Sequence, residues 1–217
     1  MRDLNKLNIR FEIHNMGLSF FIPIFVTLIT SIYVCTTIHD EGWEYNAALA
    51  LEFLVCPFAA WWVSYLYYDT FEDNNEELLI SLPISTKYFG IFRSAVFFLF
   101  FLLLLAVQLF VLDIISEIPL NILFLLFRFA SQGFVYAGLA FVLMMLFKNI
   151  MVPILTIVVF LSLTFFTGGM PFVLTFSPLT QINEEVFTIL CTNLIVGFIF
   201  FVLGHLLLKY RMRNINS

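Results

Sequence analysis

Residues 94–115 read SAVFFLFFLLLLAVQLFVLDII, and this run decides the fold class. It carries one formal charge, Asp113, and one side-chain amide, Gln108, in an otherwise almost wholly apolar setting. A helix of about 20 apolar residues crosses the ~30 Å hydrocarbon core of a bilayer. Lipid offers no water to the backbone, so such a run must satisfy its own N–H and C=O groups, which a helix does. Five further stretches of the same character lie on either side, at 17–38, 47–68, 122–147, 150–168 and 186–208. The reading is all-α: an integral membrane protein of six transmembrane helices forming one domain over residues 1–217.

Composition supports this and excludes other classes. The chain is 62% hydrophobic and 12% charged, whereas a soluble domain carries roughly 25% charged residues. The formal net charge of −5 offers no basic field for nucleic acid. Cys35, Cys56 and Cys191 lie in apolar runs without CxxC spacing, so they imply neither a disulfide framework nor a zinc site. The first apolar stretch is too long for a signal-peptide core and has no small-residue cleavage site after it, so it is read as a retained span.

Orientation follows from the basic residues, which favour the cytoplasmic side of short loops. With the N-terminus inside, that side holds Arg2, Lys6, Arg10, Lys87, Arg93, Lys148, Lys209, Arg211 and Arg213. The outer loops hold none, and Arg128 falls within a span. Both termini are therefore expected in the cytoplasm. The third outer segment, 169–185, is apolar between two prolines and is read either as dipping back into the interface as short helices or as an ordinary loop on the membrane surface. Ahead of the first span, Leu4, Leu7 and Phe11 share one helical face, while Arg2, Lys6 and Arg10 recur at i, i+4 and i+8 on another. That pattern predicts an amphipathic helix lying on the inner interface against lipid phosphates.

The loop between spans two and three is the most informative cytoplasmic element. Asp73 or Asn74 can cap a helix, with Glu76 or Glu77 completing a capping box in the favourable end of the helix dipole. Leu78, Leu79 and Leu82 fall on one face, and Pro83 stops the helix. The spacing predicts about two turns over 75–82, too short to stand alone and in need of a surface to pack on.

The run Glu76-Glu77-Leu78-Leu79-Ile80-Ser81-Leu82-Pro83-Ile84-Ser85, placed directly before a span, resembles the E-x-L-x-x-L-P-hydrophobic-S segment of ABC transporter permeases of the type-2 exporter family. Six spans, the amphipathic leader and the apolar, Pro-containing segment before the last span fit the same plan. The resemblance implies that Asn75, Glu76, Glu77, Leu78, Leu79, Leu82 and Pro83 form a coupling helix docking on an ATP-binding cassette subunit. No Walker A sequence is present, so ATP and Mg are expected on that partner, with no cofactor on this chain and no enzymatic activity of its own. It also implies a second permease, as homodimer or heterodimer. Phe-rich, sparsely charged spans (29 Phe) favour export of a hydrophobic or amphipathic cargo such as a peptide, antimicrobial peptide or toxin. Phe, Ile and Asn usage points to the plasma membrane of a Gram-positive bacterium.

Ionisable residues at membrane depth are functional candidates by default. Glu52 and Arg128 both lie roughly two turns below the expected outer surface, Asp113 near the outer end of span three, and Gln108 a turn deeper. Arg128 is expected to pair with Glu52 or Asp113, either as a helix-pairing bridge or as a polar patch lining a substrate path. Pro23, Pro57 and Pro153 are candidate kinks, and Gly133 with Ala137 gives a small-xxx-small spacing for close packing. Rival functions are a non-transporting immunity or scaffold protein, an ion-coupled secondary transporter and an intramembrane enzyme. The last two would need features not evident here: a mid-membrane ion site with an internal repeat, or a catalytic constellation such as HExxH.

Overall fold

The computed structural model describes residues 9–72, 86–116, 118–167 and 177–214. Among the described residues every regular element is helical, in the order α1 (Ile9–Met16), a 3₁₀ turn (Gly17–Phe21), α2 (Ile22–Thr37), α3 (Trp43–Ala50), a π-helical segment (Leu51–Val55) and α4 (Phe58–Glu72). A second π-helical segment (Tyr88–Phe92) then leads into α5 (Arg93–Ile115), followed by α6 (Ile122–Phe147), α7 (Met151–Thr167) and α8 (Glu184–Asn214). Five helical stretches are long and apolar enough to cross a bilayer: Ile9–Thr37, Trp43–Tyr68, Tyr88–Ile115, Ile122–Phe147 and Glu184–Arg213. The sixth expected span corresponds to α7, which is apolar but shorter, at 17 residues. This set of helices is compatible with a multi-pass membrane protein. The residues of the expected coupling helix, Asn75 to Pro83, lie outside the described residues, as do Arg2, Leu4, Lys6 and Leu7 of the leader.

Helix α6 is the hub, packed by α4, α5, α7 and α8. Its buried residues run from Leu125 to Met145 and include Phe129, Gly133, Tyr136, Ala137, Ala140 and Phe141. The small residues set how closely its neighbours approach. A Cβ on Gly138 would sit 2.9 Å from Phe200 Cβ and 3.0 Å from the Gly197 carbonyl oxygen, so α6 and α8 touch nearly backbone to backbone. Gly133 in turn receives the edge of the Phe101 ring from α5. The small-residue spacing on this helix therefore serves packing within the chain. By contrast α2 presents Phe25, Leu28, Ile29 and Ile32 outward, as a lipid-facing helix does.

Helix starts follow ordinary capping chemistry. Asn121, Asn149 and Asn183 each accept a backbone N–H of the helix that follows, from Phe124 (3.1 Å), Met151 (2.8 Å) and Val186 (3.0 Å).

The prolines mark breaks more than kinks. Pro153 falls in the first turn of α7, where its missing N–H costs nothing. Pro23 opens α2 and brings no N–H to the carbonyls of the preceding 3₁₀ turn, Ser19 at i−4 or Phe20 at i−3. Two indoles of α4 supply the bonds: Trp61 Nε1 donates to Ser19 O and Trp62 Nε1 to Phe20 O, each at 2.9 Å. The Phe20 ring also stacks on Trp62. Upstream, Gly17 takes a left-handed φ of +54°, which separates α1 from α2 at the boundary expected between leader and span. Pro57 follows the first π-helical segment, where Cys56 N–H reaches back five residues to Leu51 O at 2.9 Å.

Candidate functional site

The first π-helical segment places Glu52 against α6. The carboxylate accepts from Arg128 Nη2 at 2.8 Å and from Gln132 Nε2 at 3.2 Å, and both side chains of the ion pair are 0% exposed. Arg128 and Gln132 are one turn apart on α6, so they present adjacent donors to one acceptor. The guanidinium is shared further: Nη2 donates to Ser177 O at 2.8 Å and Nη1 to Pro178 O at 3.1 Å. It also lies 5.2 Å from the Phe129 ring centroid. The planar guanidinium serves a carboxylate and two carbonyls from two nitrogens in one rigid fork, where a lysine would bring a single nitrogen on a flexible stem.

The segment leading into α8 is thus pinned to the bundle. Glu44, in the first turn of α3, adds a second anchor by accepting from the backbone N–H (3.3 Å) and hydroxyl of Thr180. Leu179 between the two anchors is buried. Both terminal nitrogens of Arg128 are turned to protein acceptors, so the pair ties α6 to Glu52 and to the 177–178 chain at once, as a clasp does. The part of the expected re-entrant stretch that is described before α8, 177–183, is a turn and irregular chain held by these contacts; residues 168–176 lie outside the described residues.

Two residues grouped with this pair from the sequence do not join it. Asp113 lies in the last turn of α5, where its carboxylate accepts Leu120 N–H at 3.0 Å and closes the short connection to α6. Arg128 has Glu52 as its carboxylate partner because α3 and its π-helical continuation bring that side chain into the interior. Gln108 is buried on the opposite flank, lining a cavity of about 10 Å³ with Ser31, Val34, Cys35 and Leu112 between α2 and α5.

A second polar cluster ties together the chain on both sides of the 73–85 loop. Tyr67 of α4 has its hydroxyl within hydrogen-bond range of Gly90 O (2.9 Å), Phe89 O (3.3 Å) and Ser94 Oγ (2.8 Å). Arg93 pairs with Glu12 of α1 and donates to Leu66 O at 3.3 Å, its guanidinium 4.6 Å from the Phe89 ring centroid. At the same end Arg211 of α8 donates to Leu146 O at the close of α6 and faces Phe71. Helix α1 and the end of α8 therefore share one end of the bundle, the basic end, with Glu44, Asp113 and Thr180 at the other. Of the expected interfacial-helix residues that are described, Arg10 and Phe11 are both exposed on α1, while Glu12 and the buried Met16 of that helix make inward contacts.

The sequence reading missed Gln132, Glu12 and Tyr67. Gln132 was discoverable, being four residues after Arg128 on one helix. The carbonyls of Ser177 and Pro178 carry no side-chain signal at all. Cys35, Cys56 and Cys191 are free thiols. Among the described residues no group of three His, Cys, Asp or Glu side chains is placed to hold a metal ion.

Comparison with protein-family models, curated proteins and solved structures finds no match.

Proposed function

We propose that this chain is the membrane-spanning permease subunit of an ATP-driven exporter, with the ATP-binding cassette on a separate subunit. It pairs with a second permease in the plasma membrane of a bacterium and moves a hydrophobic or amphipathic cargo outward. The observation that carries the reading is the sequence run Glu76 to Ser85, whose carboxylates, leucines and proline match the exporter segment it resembles. Two features favour it. The described residues on either side of it, up to Glu72 and from Thr86, lie at the basic end, where α1 and the end of α8 also lie. Its flanks are stitched together by Tyr67 and Arg93, so a push on the loop would reach α4, α5 and α1 together.

The test is affinity purification of the tagged full chain from its host in mild detergent, beside a Leu79→Asp/Leu82→Asp variant shown to insert normally. A soluble ATPase that co-purifies with the native chain and is lost from the variant is the expected result. A native chain that carries no ATPase, in a preparation that retains known membrane complexes, overturns the exporter reading in favour of a non-transporting immunity or scaffold protein.

A further inference from the structure

At the basic end some cations already have partners. Arg93 holds Glu12, and Arg211 holds the Leu146 carbonyl. Lys87, His205 and Lys209 are different. His205 and Lys209 are one turn apart on α8 and so are neighbours on its surface. His205 packs against the second π-helical segment: its Nδ1 would lie 3.4 Å from a Cβ built on Gly90. Lys87 directly precedes that segment, and the charges of both lysines reach the imidazole. The Nδ1 atom is shielded from solvent without a hydrogen-bond partner. Both lysines are exposed, and among the described residues neither meets a carboxylate. Two ammonium groups and an imidazole thus converge on a notch where α8 meets the second π-helical segment.

The surroundings of the notch define the ligand. It lies at the junction of charged helix ends and apolar helix surface, the level at which headgroups sit in a bilayer. Exposed Ile91, Phe92, Leu206 and Tyr210 flank it and offer an apolar wall to one side of the charges. A ligand that fits must therefore be anionic at one end and apolar at the other.

We propose that Lys87, His205 and Lys209 form a headgroup site for an anionic phospholipid at the basic end of the bundle. The phosphate lies between the two ammonium groups, and the acyl chains run along the Ile91–Phe92 and Leu206–Tyr210 surfaces. A neutral zwitterionic lipid gains less there, because its own cation meets the lysines. This site does not rest on the exporter reading; it requires only that the helices stand in a membrane.

Native mass spectrometry of the full chain in a neutral detergent, titrated with phosphatidylglycerol or phosphatidylcholine, tests the proposal. Each lysine near an anionic headgroup contributes roughly a fivefold gain in affinity. The Lys87→Gln/Lys209→Gln variant should therefore lose about 25-fold in phosphatidylglycerol affinity while phosphatidylcholine binding changes little. Arg213→Gln removes the same charge from the same helix outside the notch and should leave the preference intact. Inorganic phosphate in tenfold excess over lipid should displace little, because it gains nothing from the apolar wall. An undiminished preference in the double lysine variant overturns the site, as does an equal loss in Arg213→Gln. Full displacement by inorganic phosphate overturns the lipid as its ligand.

Discussion

Replacing Glu52 and Arg128 singly and together distinguishes a coupled clasp from two helices that merely touch. The charged groups stand 2.8 Å apart at closest approach with no solvent exposure. For a charge separation of ~4 Å and an effective dielectric of about 20, their attraction is roughly 4 kcal/mol. Desolvation offsets much of that, so the intact pair contributes little net stability, whereas a stranded partner costs about 3–5 kcal/mol. Arg128→Met strands the carboxylate and also removes the donors to Ser177 and Pro178. Glu52→Leu strands the guanidinium but leaves those two carbonyls served. Each single variant should lose about 3–4 kcal/mol, and the double variant no more than the worse single, giving a coupling near 3 kcal/mol. The assay is unfolding by sodium dodecyl sulfate from mixed micelles, read by tryptophan fluorescence, with Trp61 and Trp62 as reporters on α4. Costs that simply add, to within about 0.5 kcal/mol, would refute the argument that the two charges need each other.

Three other outcomes follow from the geometry. Arg128→Lys keeps the charge but replaces two fixed nitrogens with one, so amide hydrogen exchange around Leu179 and Gln181 should rise while α6 stays protected; unchanged exchange would mean that Glu44 alone pins the segment. Gly138→Ala places a methyl 3.0 Å from the Gly197 carbonyl oxygen and should cost about 1–3 kcal/mol by overpacking, measured as a lowered thermal midpoint in detergent, with a neutral result showing that α6 and α8 can slide apart. Trp61→Phe leaves the Ser19 carbonyl without its indole donor and should cost about 1–2 kcal/mol. Adding Pro23→Ala restores a backbone donor for that carbonyl and should recover most of the loss, which a proline-independent effect of Trp61 would not allow.

Membrane character and helix placement were legible in the sequence because apolar run length is a direct physical signal: every expected span has a helix in the structure. The boundaries were less so. The second span begins at Trp43, before the expected Ala47, after a left-handed Gly42, because an eight-residue helix containing Glu44 and Asn46 looks polar until its tertiary partners are known. Arg128 and Glu52 stood out as charges in apolar surroundings. Their choice of each other over Asp113 did not, since it depends on a π-helical turn that no residue pattern announces. The pinning of 177–183 was invisible for a different reason: its acceptors are backbone carbonyls, which every residue possesses. Glu12 was hidden by its basic neighbours, which drew attention to the opposite face of α1.

The π-helical turn between α3 and α4 also fixes the length of the chain. An α-helix advances about 100° per residue, so one residue accommodated in a widened turn sets the rotational phase of everything beyond it. Within that turn Glu52 must face Arg128; downstream, Trp61 and Trp62 must face the carbonyls of Ser19 and Phe20. Deleting a single residue between Leu51 and Pro57 would allow a more regular helix, yet it would swing one of these two sets of side chains about a quarter turn away. The local irregularity is therefore a phase adjuster, and the number of residues between Glu52 and Trp61 is constrained more tightly than their identities.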